Sequence, residues 1–332
     1  MKALLDNFQY IESEIHPPLK HKDGLINKTK NLIYDFKIDH LLIKGEVNLF
    51  PLFFNEKQLC LPSQRELNID FKNIDLTRPL FNTIEINNLH TNEQFSLEQA
   101  LLTYLISTEH QSLKEYLKAD DVKCLINDLL LENENIDNKV IKYKIGRNTP
   151  KEDNNNIKEF IKNKNILRLD GNQMLDSSSI KEILKEIDLS YVDYIEEPFK
   201  SIDEWNSFIN ESEDFKNLSF AIDENFKSHK NKLDQIHNLK AIIIKPTRDL
   251  SISGLFKLHQ DISKQNHSYQ IILSSSFDNE MTLNTLVFLA QLFNNRHGLG
   301  TFKYMKEDFK KMRYERDTQK LIGYPLIENI IN

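Results

Sequence analysis

The sequence predicts an α/β protein: a parallel sheet closed into a barrel by alternating strands and helices, preceded by a smaller α+β domain. Three observations predict it. Apolar strand-like runs recur from residue 122 to residue 274 at intervals that fit one strand plus one crossover helix, about 25 to 30 residues. The runs are almost continuously apolar, as expected of strands buried on both faces. Five of them end on a charge, in the order Lys144, Asp170, Glu196, Asp223, Lys245, with spacings of 26, 26, 27 and 22 residues. Charges at the C-terminal ends of successive parallel strands point into one bowl, where barrel enzymes keep their chemistry.

Taken in order, residues 1–100 read as the α+β domain, with strand-like pieces at Leu32–Phe36 and Leu41–Ile43 and then IKGEVNLFPLF. Ser96 with Gln99 reads as a capping box opening a helix whose stripe is Leu97, Ala100, Leu101, Tyr104 and Leu105. Residues 101–302 read as the barrel. Its expected strands are Val122–Ile126, Lys139–Ile145, Ile166–Asp170, Tyr191–Glu196, Leu218–Asp223, Ala241–Lys245 and Tyr269–Ser274, with a short eighth at Gly298–Phe302. Helices are expected within Ser179–Ile187, Leu233–Leu239 and Ile252–Gln265, and Glu132–Asn138 and Asn154–Asn156 read as solvated loops. The charged segment 303–332 breaks the period and is expected to rejoin the first domain.

With 39% hydrophobic and 28% charged residues, the chain has the composition of a soluble globular protein. A formal net charge of -7 with the two signs interspersed argues against nucleic-acid and anionic-membrane partners. The two cysteines, Cys60 and Cys124, form no CxxC, and Cys124 sits in the apolar run VKCLI as a small hydrophobe. The first residues carry no apolar signal-peptide core, and no run approaches 18 apolar residues. The expectation is a cytoplasmic protein, with monomer and homo-oligomer both open.

Three carboxylates converging within ~4 Å would repel by several kcal/mol per pair at an effective dielectric of ~20. One isolated acid at a strand end would more simply cap a helix or meet a base. Three at one phase, Asp170, Glu196 and Asp223, predict a cation site, and three hard oxygens without His or Cys suit Mg²⁺. On that argument, Glu196→Gln would relieve repulsion and stabilise the metal-free protein. Lys142 and Lys144 stand at i and i+2 and share a strand face. A lysine acting as base near neutral pH needs its pKa lowered by roughly 3 units, and a neighbouring ammonium and a cation both push that way. Lys245 ends the apolar run AIII from the other side. A metal flanked by lysines suits removal of the α-proton of a small-molecule carboxylate, with the enediolate stabilised by the cation.

Six motifs in order now carry a resemblance: KYK at Lys142–Lys144, RLDGN at Arg168–Asn172, IEEP at Ile195–Pro198, AIDEN at Ala221–Asn225, IIKPT at Ile243–Thr247 and LSSSF at Leu273–Phe277. Together they resemble the enolase superfamily, in its muconate lactonizing subgroup, and within it most the o-succinylbenzoate synthase family in its shorter, divergent bacterial form. IKGEVNLFPL and HGLGTF at His297–Phe302 extend the likeness, and KDGL at Lys22–Leu25 is a loose candidate for a capping loop. The resemblance implies a (β/α)7β TIM-like barrel under a capping domain built from both chain ends. It implies Asp170, Glu196 and Asp223 as ligands of one Mg²⁺, Lys144 as general base and Lys245 as electrostatic partner. Lys142 would assist, Arg168 would lie beneath the metal beside the Asn172 loop, and Ser274 and Ser275 would line the substrate pocket. The implied reaction is the dehydration of 2-succinyl-6-hydroxy-2,4-cyclohexadiene-1-carboxylate to 2-succinylbenzoate in menaquinone biosynthesis.

The nearest rival is a dipeptide epimerase or N-acylamino acid racemase using the same Lys-Asp-Glu-Asp-Lys set. The residues GLGTF, with Gly300 where many relatives carry Asp, lack the paired acids that would hold a substrate ammonium. A Schiff-base aldolase with Lys144 or Lys245 as nucleophile leaves three carboxylates unexplained. A barrel that has lost catalysis and only binds would be favoured by a substituted ligand position, and all are filled.

Overall fold

The computed structural model describes residues 2–21, 24–50, 66–68, 89–108, 122–130, 139–264, 269–305 and 309–331. Cys60, the loop Glu132–Asn138, and parts of KDGL, IKGEVNLFPL and the charged C-terminal segment lie outside the described residues. By packing, the chain groups into two compact units, residues 1–125, 245–267 and 273–332 in the first, and 126–244 with 268–272 in the second. The division at residues 100 and 302 follows the βα period instead.

The first unit holds a five-stranded sheet, in the order Ile330–Ile331, Leu41–Asn48, Gly24–Ile38, Lys2–His21, Glu66–Asn68, with every neighbouring pair antiparallel. Leu32, Tyr34, Phe36 and Ile38 alternate along one strand and are all buried, the period-2 signature of a core face. The two long N-terminal strands exceed the expected pieces because their exposed halves, such as NFQYIESE, are too polar to read as strand.

The helix packed on this sheet runs Thr91–Ser107 and so begins five residues before the expected cap at Ser96. Its opening turn, TNEQ, has no apolar period, and it is Glu93 that reaches back to the His90 N–H (3.3 Å). Ser96 instead faces Gly45, where an added Cβ would lie 2.3 Å from the Ser96 carbonyl oxygen. Glycine there is what lets helix and strand approach.

Two buried glutamates do the capping of other helices in this unit. Glu46 accepts from the N–H groups of Asn279 (3.1 Å) and Thr282 (3.0 Å) at the start of Glu280–Ala290. Glu98 accepts from Ile252 (2.7 Å) and Ser253 (2.8 Å) at the start of Ser251–Lys264. Each satisfies orphan donors of a helix N-terminus. Burial, and then the neighbouring Asp278 carboxylate, push the Glu46 pKa from 4.5 up to about 8. Burial pushes Asp278 up to about 6. An acid with a raised folded pKa supports the fold while protonated; its contribution is whole below the unfolded value and lost as pH rises through the folded one. The urea midpoint should therefore fall between pH 5 and pH 8, and Glu46→Gln should flatten that decline. An identical slope in the variant would show that Glu46 does not titrate there.

A four-stranded sheet, ordered Arg296–His297, Lys123–Ile126, Lys320–Ile322, Arg313–Glu315, corrects two sequence expectations. The run Val122–Ile126 does form a strand, Lys123–Ile126, but it pairs antiparallel with Lys320–Ile322 and stands outside the parallel sheet. The expected eighth strand at Gly298–Phe302 is instead Arg296–His297, followed by a 3₁₀ turn over Gly300–Tyr304. Cys124 is buried there, and burial pushes its thiol pKa up, as suits an inert hydrophobe.

The second unit holds a seven-stranded sheet in sequential order: Asp128–Leu130, Val140–Lys144, Ile166–Asp170, Val192–Glu196, Phe220–Ile222, Leu239–Ile244, Gln270–Leu273. The pairs Asp128–Leu130 to Val140–Lys144 and onward to Leu239–Ile244 are parallel, so this is the half-barrel wall of the expected α/β fold. Its first strand, DLL, is too short for any periodicity and was not anticipated. The run Asn154–Asn156, expected as a solvated loop, lies instead inside the helix Pro150–Lys162, because strong start signals before it outweigh the low helix propensity of three asparagines. Thr149 and Glu152 form a reciprocal capping box with Pro150 in the first turn, and Asp176 and Ser201 cap the next two. The stretch Leu233–Leu239 yields only a 3₁₀ turn, Leu233–Gln235, because Leu239 already belongs to a strand. Tyr194, Ala221, Ala241, Ile243 and Ile272 form one buried apolar cluster. Strand alternation puts Glu196 and Asp223 one layer above Tyr194 and Ala221. Among the described residues, no helix is long and apolar enough to cross a membrane.

Candidate active site

Register brings the charges together. Lys144 pairs with Asp170 and Asp170 with Glu196 across three adjacent strands, while Ala221, two residues before Asp223, pairs with Glu196. At a strand separation of about 4.8 Å, two like charges at an effective dielectric of 20 repel by about 3 kcal/mol. Asp170, Glu196 and Asp223 are all buried, so the row needs positive charge close by.

Lys142, one layer below, supplies it. Its ammonium donates to Glu196 Oε1 (2.7 Å) and Oε2 (2.8 Å) and pairs with Asp170 Oδ2 at 2.9 Å. Burial alone would lower the Lys142 pKa, but Asp170, Glu196 and Asp223 together hold it well above its ordinary value. Burial would likewise raise the Asp170 pKa, and Lys142 and Lys144 turn the balance so that it is lowered.

Lys144 moves the opposite way from its neighbour. Burial is the largest cause lowering its pKa, with the charges of Lys142 and Arg147 adding to it against the pull of Asp170. The ammonium lies 3.7 Å from Asp170 Oδ2 and donates to Asn172 Oδ1 (3.2 Å). Asn172 in turn donates through Nδ2 to Asp170 Oδ1 (2.8 Å), so one side chain bridges the lysine and the acid. Of two lysines two residues apart, one is held charged and the other is eased toward the neutral amine a base requires.

Arg168 lies one layer beneath Asp170 on the same strand, buried, donating to Asp193 (2.9 Å) and Asn127 (3.0 Å) and stacked 5.1 Å over Tyr194. The structure thus brings together Lys142, Lys144, Arg168, Asp170, Asn172, Glu196 and Asp223 within the second unit. Lys245, Ser274 and Ser275 belong to the first. There the Lys245 N–H donates to Asp249 (2.8 Å), Ser274 Oγ to the Gly298 carbonyl (3.4 Å), and Ser275 Oγ lies 2.5 Å from Thr301 Oγ1.

Among the described residues, no three His, Cys, Asp or Glu side chains are drawn into a cluster ready to hold a metal ion, since Lys142 is wedged among the acids. The donor chemistry nonetheless fits a divalent cation: three buried carboxylates, no sulfur or imidazole, and a demand for positive charge. Sequence reasoning missed Glu197, Gln173 and Asn225, whose contacts hold the loops around this row. The doubled acid in IEEP was the available signal, of which only the first member, Glu196, was given a role.

No protein-family model and no curated protein matches the sequence. Solved structures do match the fold. A dipeptide epimerase from Methylococcus capsulatus, complexed with Mg and the dipeptide L-Arg-D-Lys, aligns over 100% of both chains at 13% identity with a TM-score of 0.72. A member of the enolase superfamily from Roseovarius nubinhibens aligns over 98% of this chain and 94% of its own, at 14% identity and a TM-score of 0.68. An o-succinylbenzoate synthase from Thermosynechococcus elongatus, with Mg in its active site, aligns over 92% and 95% at 13% identity with a TM-score of 0.60. At such identities the likeness establishes the fold, which is that of these proteins over nearly the whole chain.

Proposed function

We propose that this chain is an enolase-superfamily enzyme that removes the α-proton of a carboxylate substrate, and that its reaction is the dehydration performed by o-succinylbenzoate synthases. The observation that carries the reading is the register row Lys144–Asp170–Glu196, in which burial lowers the pKa of one lysine beside an acid cluster that a second lysine neutralises. Asp170, Glu196 and Asp223 would hold one Mg²⁺. When bound, that ion supplies positive charge against the negative charge that builds on the substrate carboxylate.

The chain's own residues do the rest. The neutral Lys144 amine takes the α-proton as the C–H bond breaks. In a syn elimination the same face receives the departing hydroxyl, so the Lys144 ammonium returns the proton and water leaves. Lys245 opposes the developing negative charge, Asn172 holds Lys144 toward Asp170, and Ser274 and Ser275 are assigned to the substrate. Aromatic stabilisation of the product makes the elimination downhill and tolerant of a loosely fitted pocket.

One observation favours a second reading: the Methylococcus capsulatus dipeptide epimerase shares the fold over the full chain. An epimerase must hold its substrate ammonium, and the GLGTF segment offers no acid pair for that. The test measures both reactions on one preparation. Dehydration of the succinyl-cyclohexadiene acid, followed by ultraviolet absorbance of the aromatic product, should exceed epimerisation of Ala-Glu-type dipeptides by about a hundredfold or more in kcat/KM, roughly 3 kcal/mol of transition-state binding. Comparable rates, or epimerisation alone, would remove the dehydratase assignment and keep the metal–lysine chemistry.

A further inference from the structure

We propose that Glu197, the second acid of IEEP, is a positioning residue whose buried carboxylate ties the loops after three neighbouring strands into one frame, fixing the separations of Asp170, Glu196 and Asp223. The proposal rests on reading those three carboxylates as a cation set. Glu197 is 1% exposed and its backbone is in the left-handed region at φ +32°. That conformation costs a non-glycine residue of order 1 kcal/mol, and such strain persists only where the surroundings impose it.

The surroundings here are three loops. Glu197 Oε1 accepts from the backbone N–H of Asp223 (2.8 Å) and of Asn225 (2.8 Å). Oε2 accepts from Gln173 Nε2 (2.6 Å) and Asn225 Nδ2 (3.2 Å). The Gln173 N–H donates to the Glu197 carbonyl (2.7 Å), and the Glu197 N–H donates to the Ala221 carbonyl (3.2 Å). One residue therefore bonds to the loop that follows Asp170, continues the strand that carries Glu196, and bonds the amide of Asp223 itself. The first loop is shaped to meet it. Asn172 and Gln173 are both left-handed, at φ +46° and +59°, and a Cβ on Gly171 would lie 2.5 Å from Pro198 Cα.

A buried carboxylate met by four amide donors is fully hydrogen-bonded without a cation of its own. It is thereby free to hold the loops while the row above it keeps its charge for other use. Ligand sets are sensitive to such support, and loss of a supporting hydrogen bond typically costs 10–100-fold in metal affinity.

The test uses Mg²⁺ itself, titrated by calorimetry into metal-free protein, together with hydrogen exchange of the peptide spanning 223–225. In the wild type the Asp223 and Asn225 amides should be protected without metal. Glu197→Ala should lose that protection and bind Mg²⁺ about 10–100-fold more weakly. Glu197→Gln, which keeps Oε1 and whose amide nitrogen Gln173 can meet by turning its own side chain over, should restore affinity to within a few-fold. Gln173→Ala removes one bond at a partly exposed side chain, so it remains readable if Glu197→Ala fails to fold; it should weaken Mg²⁺ several-fold and leave the 223–225 amides protected. Wild-type Mg²⁺ affinity in both Glu197→Ala and Gln173→Ala, or in Gln173→Ala alone if the other does not fold, overturns the positioning role. A wild-type protein that binds no Mg²⁺ overturns the cation reading as well, and the two failures are told apart by that first titration.

Discussion

Lys144→Ala is expected to abolish exchange of the substrate α-proton with solvent deuterium and to lower kcat by ~10²–10⁴, the ordinary contribution of a placed general base. The size follows from what stands nearby. Lys142 is two residues away on the same face, but its ammonium is bonded to Glu196 and Asp170 and held well above its usual pKa, so it cannot serve as a substitute base. Lys144 has the opposite poise, lowered chiefly by burial. Mg²⁺ affinity should change little, because Lys144 only approaches Asp170 at 3.7 Å. Exchange that persists in the variant at the wild-type rate would move the base to another residue. Lys245→Ala should also lower turnover, but with exchange retained at a reduced rate, since its assigned part is charge and not proton transfer.

Glu196→Gln is expected to remove metal-dependent activity and to weaken Mg²⁺ binding at least tenfold by calorimetry. Glu196 pairs in register with Asp170 on one side and with Ala221, two residues before Asp223, on the other, so its loss opens the set at its centre. The structure revises the accompanying expectation about stability. Considered as three repelling carboxylates, the metal-free protein would gain from losing one. Lys142, however, donates to both Glu196 oxygens at 2.7 and 2.8 Å, so the substitution leaves a partly buried ammonium with Asp170 as its remaining close acid. Removing one partner of a buried pair commonly costs 3–5 kcal/mol, and Lys142, bonded to both Asp170 and Glu196, already offsets the repulsion that the substitution would otherwise relieve. Thermal unfolding of metal-free Glu196→Gln should therefore begin at a lower temperature than in the wild type. Unchanged Mg²⁺ affinity would remove Glu196 from the ligand set.

The second unit was largely legible because its strands carry two signals at once. Ile166–Asp170 coincides with the expected strand, and Val140–Lys144 and Val192–Glu196 differ from theirs by a residue or two, since apolar runs ending on a charge leave little freedom of register. The short strand Asp128–Leu130 carried neither signal, and Lys123–Ile126, with a clean alternation, went to a different sheet. Periodicity reports that a strand has a buried face but not which neighbour covers it. The same limit applies to Ser96, where local chemistry suggested a cap and the contact with Gly45 decided otherwise. Within the site, residue type and phase gave the row of charges. The wedge of Lys142 between Asp170 and Glu196, and the four bonds to Glu197, depend on side-chain placement that no spacing encodes.

The two units also differ in how far along the chain their parts must travel to meet. In the parallel sheet each strand from Val140–Lys144 to Leu239–Ile244 lies beside the next in sequence, so every pairing closes a loop of modest length. In the other unit, Ile330–Ile331 completes the sheet on Leu41–Asn48, and Ser13 bonds Asn279 across 266 residues. Loop closure over such separations is slow even where the final contacts are strong. The parallel sheet can therefore assemble progressively during synthesis, while the antiparallel one waits for the last strand to arrive. Until it arrives, the edge of Leu41–Asn48 that Ile330–Ile331 pairs with presents unpaired backbone donors and acceptors, and it is there that a nascent chain is open to pairing with another strand.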